Sequence, residues 1–446
     1  MAVTTLAERG ELSRAARSFL RTESGSAALL LAAAVLALVW TNVLGGYEDF
    51  WHTELSVQLN GRELTEDLRH WVNDGLMVLF FFSVGLEISR EAVLGELRGA
   101  RAIATPAIAA LGGLTVPAGL FLLFNAGGPA AGAWGIAIST DTAVVIGVLA
   151  LVGPRCPDQL RVFLLALAIV DDIGAVAAIA VFYTDDVDVT ALGVAGILFL
   201  ALLGLRYVHF WRTPIYVLIG LVMWLAVLES GVHPSVVGVV LGLLVNAYAP
   251  RPLDIARVAV LGRSLVVDPS PQRALAAQAA AVEAVSPNER LQLRIQPWSS
   301  YVIVPLFVLA NAGVELSGET LSAAVTSPLT WGIVVGLTVG KLLGVTAGTW
   351  LALRTGLGTV PDTLRWGQLI GGAGLSGVGF TVALFITELA LDDPVLIVDA
   401  KIGILTGSLT AGVVGWLIFR LAGERGGQCA PSGLPVLPPR PWRPPA

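Results

Sequence analysis

The stretch LALAIVDDIGAVAAIAV, residues 165–181, is built for lipid except at its centre, where Asp171 and Asp172 stand side by side. An ionisable group at the middle of a membrane helix costs about 2.5–3.5 kcal/mol on insertion scales. Two adjacent ones therefore need a partner or a task. Neighbouring residues on an α-helix point about 100° apart, so the two carboxylates serve different surroundings. One can line a water-filled cavity while the other reaches a neighbouring helix. Close carboxylates also titrate as a pair, which suits holding and releasing a proton.

The rest of the chain is of the same kind. Of its 446 residues 55% are hydrophobic and 13% charged, and the mean hydropathy is +0.78, which excludes a soluble globular domain. Apolar runs long enough to cross a bilayer as helix fall at 27–46, 68–90, 102–125, 132–152, 159–182, 189–206, 213–229, 232–247, 298–315, 328–351, 365–390 and 395–421. Basic residues test this reading, because they gather in cytoplasmic loops. With an inside N-terminus, Arg62 and Arg69 alone of the arginines face out, and Arg9, Arg14, Arg17, Arg21, Arg98, Arg101, Arg155, Arg251, Arg257, Arg263 and Arg354 all face in. Removing one span would reverse every later loop, so the pattern supports twelve spans with both ends cytoplasmic. The first span is read as a retained helix and not a signal peptide, because its leader is long and mixed in charge.

The expected fold class is thus an all-α integral membrane protein of about twelve transmembrane helices. Residues 1–26 form a cytoplasmic N-terminal segment and 27–421 the membrane domain. Residues 47–66 form an external β-hairpin, predicted from Asn60-Gly61 between two alternating segments. Its free edge could pair with a second copy and support a homodimer. The long cytoplasmic loop 248–297 reads as a solvated connector holding one alanine-rich helix, QRALAAQAAAVEAV. The proline-rich tail 422–446 is expected to be disordered. Cys156 and Cys429 both fall inside and imply no disulfide. The formal net charge of −6 and the lack of a basic patch interleaved with aromatics give no sign of nucleic-acid binding.

A weak internal symmetry links two interrupted spans. The fourth holds ISTDTAVVIG and runs inward; the eleventh holds GGAGLSGVGF and runs outward. Spans 3–5 and 10–12 thus form triplets of opposite orientation, each with a breaker in its central helix. Such inverted repeats place two discontinuous helices, 4 and 11, at the bilayer midplane, with half-helix ends and freed carbonyls around an ion site.

Ionisable residues deep in these spans are Asp141, Asp171, Asp172 and Lys341, with Asp74 nearer the outer end. Carboxylates, a threonine hydroxyl and unwound carbonyls are oxygen ligands suited to a hard cation, and no Cys/His cluster suggests a soft metal. The chain has only two lysines, Lys341 and Lys401, and both lie in spans. Lysine shifts its proton affinity readily when desolvated whereas arginine stays charged, so Lys341 is a candidate partner for an aspartate and a candidate proton carrier. A purely structural Asp–Lys pair would not account for three aspartates against one lysine. For Lys401, with Asp399 close by, a structural pair or snorkelling is expected.

The segments LALAIVDDIGA, ISTDTA, NDGLMVLFFFSVGLEISRE, SGVHPSVVGVVLG, VPLFVLANAGV, GKLLGV and LSGVGFTVALFI together resemble the NhaA family of bacterial Na+/H+ antiporters, in order over residues 27–421. The family is itself a known example of inverted-repeat architecture. The resemblance implies that Asp171 and Asp172 form the Na+ and proton site, with Asp172 the chief ligand and Asp171 partnered by Lys341. It implies that Thr140 and Asp141 lie where the broken helices cross, Asp141 balancing their dipoles. It also associates Asp74, Glu87, Glu91 and His233 with the cation route or pH response. The implied activity is electrogenic, pH-regulated exchange of cytoplasmic Na+ or Li+ for external protons by alternating access. The implied location is the bacterial cytoplasmic membrane; Na+, Li+ and H+ are cargo, and no cofactor is implied. The chain departs from the better-known members before Pro297-Trp298, where NERLQLRIQPW, with Gln292, Leu293 and Gln296, replaces the acid and histidines used there for pH sensing.

Two other readings compete. Intramembrane aspartyl proteases also use two membrane aspartates, but on separate helices with a GxGD-type motif, and prenyl-transferring enzymes use spaced DxxxD clusters; neither pattern is present, so no enzyme is expected. A symporter coupling Na+ to an organic solute would need a substrate pocket, which sequence does not reveal.

Overall fold

The computed structural model describes residues 23–59, 62–94, 100–152, 158–184, 187–208, 213–249, 251–361 and 364–422. The readings made above for residues 1–22, for the tail from 423, for Asn60-Gly61 and for Cys156 and Cys429 lie outside the described residues.

The main helices are α1 (Gly25–Leu44), α2 (Met77–Leu94), α3 (Ala100–Asn125), α4 (Thr142–Val152), α5 (Asp158–Phe182), α6 (Val189–Tyr207), α7 (Thr213–Leu228) and α8 (Ser235–Leu244). They continue as α9 (Pro252–Val267), α10 (Pro271–Glu283), α11 (Pro287–Asn311) and α12 (Pro328–Arg354), α13 (Trp366–Leu375), α14 (Phe380–Ala390) and α15 (Pro394–Ala422). Between α1 and α2, strands β1 (Glu54–Leu59) and β2 (Arg62–Asp67) pair antiparallel with Leu59 opposite Arg62. The alternating segments thus form paired strands, whereas Tyr47–Trp51, expected within the hairpin segment 47–66, is a short helix.

Among the described residues, eight helices are long and apolar enough to cross a bilayer alone, and the bent pair α13 and α14 makes nine. The expected spans at 213–229 and 232–247 are shorter as helices. The ten residues of α8 reach about 15 Å at 1.5 Å per residue, half of a hydrocarbon core of about 30 Å. Helix α2 is long enough but carries Glu87, Arg90 and Glu91 towards one end.

The segment 248–297 is not a connector around one helix. It folds as α9, α10 and the first part of α11, and α11 runs on into the span expected at 298. The alanine-rich stretch is helical, as its propensity requires. The early start of α11 is set by Ser286, whose hydroxyl accepts from the Glu289 backbone N–H and caps the helix ahead of Pro287. Pro297 lies inside this helix, where it removes one backbone donor, and the π-helical turn Ser299–Ile303 follows directly after it.

Both interrupted spans are broken. The fourth is a 3-10 turn, Ala131–Ile138, followed by an extended step at Ser139 and then α4. Ser, Thr and Asp at 139–141 favour caps over helix interiors, because their side chains compete for backbone groups. The eleventh breaks at 376–379 and its halves, α13 and α14, meet at 42°. Helix α3 lies along α12, and the close approach depends on glycine. A Cβ on Gly112 would fall on the carbonyl oxygen of Gly344, and one on Gly344 would fall on that of Gly112. Small residues at such seams let membrane helices touch backbone to backbone, and here the seam carries Lys341 towards α5.

Candidate functional site

The two breaks cross and are tied by backbone and hydroxyl bonds. The Asp141 N–H donates to the Val378 carbonyl at 2.7 Å, and the Ser139 hydroxyl donates to the Gly379 carbonyl at 2.9 Å. The buried Asp141 carboxylate then serves two helix N-termini at once. Its Oδ1 accepts from the Val144 N–H at the start of α4 at 3.2 Å. Its Oδ2 accepts from the Thr381 hydroxyl at 2.7 Å and the Thr381 N–H at 3.3 Å at the start of α14. Helix N-termini carry partial positive charge and unsatisfied N–H groups, so one carboxylate offsets both where they meet.

Asp171 and Asp172 project from the middle of α5. Asp171 is 1% exposed and Lys341 0%, with Lys341 Nζ 2.7 Å from Asp171 Oδ2. The Thr140 hydroxyl stands 2.8 Å from the same Oδ2 and 2.9 Å from the Ser376 carbonyl oxygen, so its single proton is shared between the two. Asp171 Oδ1 is buried with no hydrogen-bond partner among the described residues. Leaving a buried acceptor unmet costs about 1–3 kcal/mol, a cost that a bound ion or water would remove.

Asp172 is different. It is partly exposed and makes no hydrogen bond or ion pair with another described residue. The charges acting on it are those of Glu87, Asp171 and Asp141, all of its own sign, and that of Lys341. Lys341 begins its helical stretch directly after the π-helical turn Gly336–Gly340, a local widening that often marks functional positions.

The remaining sequence-derived residues divide. Asp74 sits in the π-helical turn Trp71–Leu76, and its Oδ1 is 3.4 Å from His233 Nε2. The His233 ring stands edge-on to Phe385 of α14, and its Nδ1 is 2.8 Å from the Ser235 hydroxyl. Glu87 acts on Asp172, whereas Glu91 is 3.9 Å from Arg90 one turn further along α2. Lys401 does not pair with Asp399; its Nζ is 2.9 Å from Glu388 Oε1 on α14. Two residues along a helix point to nearly opposite sides, so nearness in sequence misled. Sequence reasoning also missed Thr381 and the buried mutual amide pair of Asn73 and Asn311, at 2.8 and 3.3 Å. Lone amides inside VPLFVLANAGV and beside Asp74 were the available signal. Among the described residues, no group of three or more His, Cys, Asp or Glu converges as a metal site.

The membrane spans, the crossed broken helices and the buried ionisable pair define a membrane transporter of ions. Residues 17–419 match the family model described as Na+/H+ antiporter 1, and the chain belongs to that family, which is one of transporters and not of enzymes. It is 50% identical to the Na(+)/H(+) antiporter NhaA 3 of Frankia alni over 96% of this chain and 94% of that protein. It is 47% identical to the Na(+)/H(+) antiporter NhaA 1 of Salinispora arenicola, over 91% of this chain and 62% of that longer relative. The fold matches the solved structure of the sodium proton antiporter MjNhaP1 from Methanocaldococcus jannaschii with a TM-score of 0.52 and 12% identity, over 95% of this chain and 99% of that one.

Proposed function

We propose that the chain exchanges cytoplasmic Na+ for external protons at Asp172, with Asp171 as second ligand. The observation that carries this is the unequal pair: Asp171 is held by Lys341 and Thr140, while its neighbour Asp172 has no protein partner among the described residues, is partly exposed and lies within the field of the Glu87, Asp171 and Asp141 carboxylates. Like charges so placed favour binding a cation, whether Na+ or a proton. The two cargoes therefore compete for one carboxylate, and exposing it alternately to each side makes an exchange. Lys341 holds Asp171 in place, and Asp141 fixes the crossing by neutralising both helix ends. Asp74 with His233, and Glu87 with Glu91, line the cation route and tune the response to pH. Exchange of more than one proton per Na+ makes transport electrogenic.

In this reading the chain crosses the bacterial cytoplasmic membrane twelve times with both ends in the cytoplasm. Residues 27–421 form the transport domain, and the external hairpin joins two copies edge to edge. The arginine distribution supports the first point, and a hairpin with no third strand on its edges among the described residues supports the second. The test is purified protein in proteoliposomes with a pH-sensitive dye inside. Na+-dependent proton movement with no organic solute present is expected. Its absence at every pH from about 6 to 9 would overturn the proposal.

A further inference from the structure

Helix α9 presents an apolar face to its surroundings that the transport site does not use. Leu253 is 81% exposed, Val260 64% and Val267 83%, and Ile255 and Val266 are exposed beside them. At 3.6 residues per turn these fall on one arc of roughly 160°. The half-buried residues Asp254, Val258, Leu261 and Leu265 occupy the opposite side, and α9 packs against α10. The exposed arc holds Arg263, is edged by Arg257 and contains no carboxylate. Arg257 is bound to Glu283 of α10 at 2.8 Å, whereas Arg251 and Arg263 are exposed and pair with no other described residue.

The place of this helix limits what can cover it. The excursion leaves at Asn246 and returns at Asn288, whose backbone N–H donates to the Asn246 carbonyl at 3.3 Å. The Asn288 amide donates to the Leu86 carbonyl of α2 at 3.0 Å. With the Ser89 hydroxyl donating to the Val245 carbonyl at 3.2 Å, both roots are fixed against the second half of α2, which runs to the arginine-rich side. The seven residues from Val245 to Arg251 reach about 25 Å at most. A helix tethered this closely, with an apolar face and unpaired arginines, matches an interfacial helix and the anionic inner leaflet.

We propose that the exposed face of α9 lies on the inner leaflet and takes anionic lipid headgroups at Arg251 and Arg263. Its apolar side chains enter the acyl boundary while Arg263 extends its stem along them to reach the phosphates. The proposal rests on the cytoplasmic placement of this loop and is independent of the ion chemistry at Asp172.

The test uses full-length protein carrying Cys156→Ser, Cys429→Ser and a spin label at Val260→Cys. It is reconstituted in phosphatidylcholine vesicles with and without phosphatidylglycerol. With phosphatidylglycerol, the label is expected to collide with oxygen and to be shielded from an aqueous nickel chelate. Arg263→Gln is expected to lower the docked ratio about fivefold, the equivalent of about 1 kcal/mol per basic residue at a membrane surface. Free access of the chelate in both lipids, or no effect of Arg263→Gln, would overturn the proposal. So would chelate shielding with dipolar broadening between labels, which assigns the face to a second copy. Shielding that disappears on deletion of residues 1–22 would assign it to the chain's own N-terminal segment.

Discussion

Lys341→Met deletes the ammonium 2.7 Å from Asp171 Oδ2 while keeping much of the side-chain volume. With Lys341 0% and Asp171 1% exposed, water does not replace it. Breaking a buried ion pair from one side costs about 3–5 kcal/mol. The Thr140 hydroxyl, 2.8 Å from Oδ2, can then turn its proton from the Ser376 carbonyl to the carboxylate and keep one charge-assisted bond, so the lower end, about 3 kcal/mol, is expected. Removing both charges is the informative control, because replacing a whole buried pair with neutral groups is often neutral. The double variant Lys341→Met with Asp171→Asn is expected to recover about 2 kcal/mol of that loss. Reversible unfolding in detergent micelles, followed by far-ultraviolet circular dichroism, measures all four proteins of the cycle. If Lys341→Met is within about 1 kcal/mol of the parent, or the two substitutions simply add, Lys341 does not organise Asp171.

Gly344→Ala places a methyl group on the Gly112 carbonyl, and overpacking of about 1–3 kcal/mol is expected in the same unfolding assay. Replacing residues 54–67 with a short flexible linker is expected to convert a dimer into monomers by native mass spectrometry while leaving exchange intact. For Asp67, burial raises the carboxyl, but the His70 backbone N–H and the His52 and His70 side chains outweigh it and hold it below 3.8. The Thr190 and Ala191 N–H groups hold Asp188 below the same value. Each therefore contributes stability that is complete above about pH 4 and is lost as pH falls through the lowered value. Hydrogen exchange, corrected for intrinsic rate, is expected to speed up at 54–70 and 187–192 between pH 5 and pH 2. Asp67→Asn and Asp188→Asn are expected to remove that dependence.

The sequence exposes what depends on short-range chemistry. Hydropathy outlines the spans, Ser-Thr-Asp and Ser-Gly-Val-Gly mark the two breaks, and two carboxylates beside one buried lysine point to an ion pair. Tertiary placement is less legible. Nothing in LEISRE says that Glu87 acts on Asp172, since that relation exists only once α2 lies beside α5. Lys401 looks paired with Asp399 until α14 supplies Glu388. The first part of α11 is polar enough to read as loop, although the Ser286 cap and a helix interior hold it. The π-helical turns around Asp74 and before Lys341 leave no sequence signature that hydropathy could detect.

Competition between Na+ and a proton for Asp172 is tested most directly by adding Na+ to purified, weakly buffered protein and measuring proton release with an indicator dye. Na+ is expected to release protons from the native chain and none from Asp172→Asn, with the variant still folded by circular dichroism. Equal release from Asp172→Asn, or Na+ binding by the native chain with no release at any pH, would contradict the assignment.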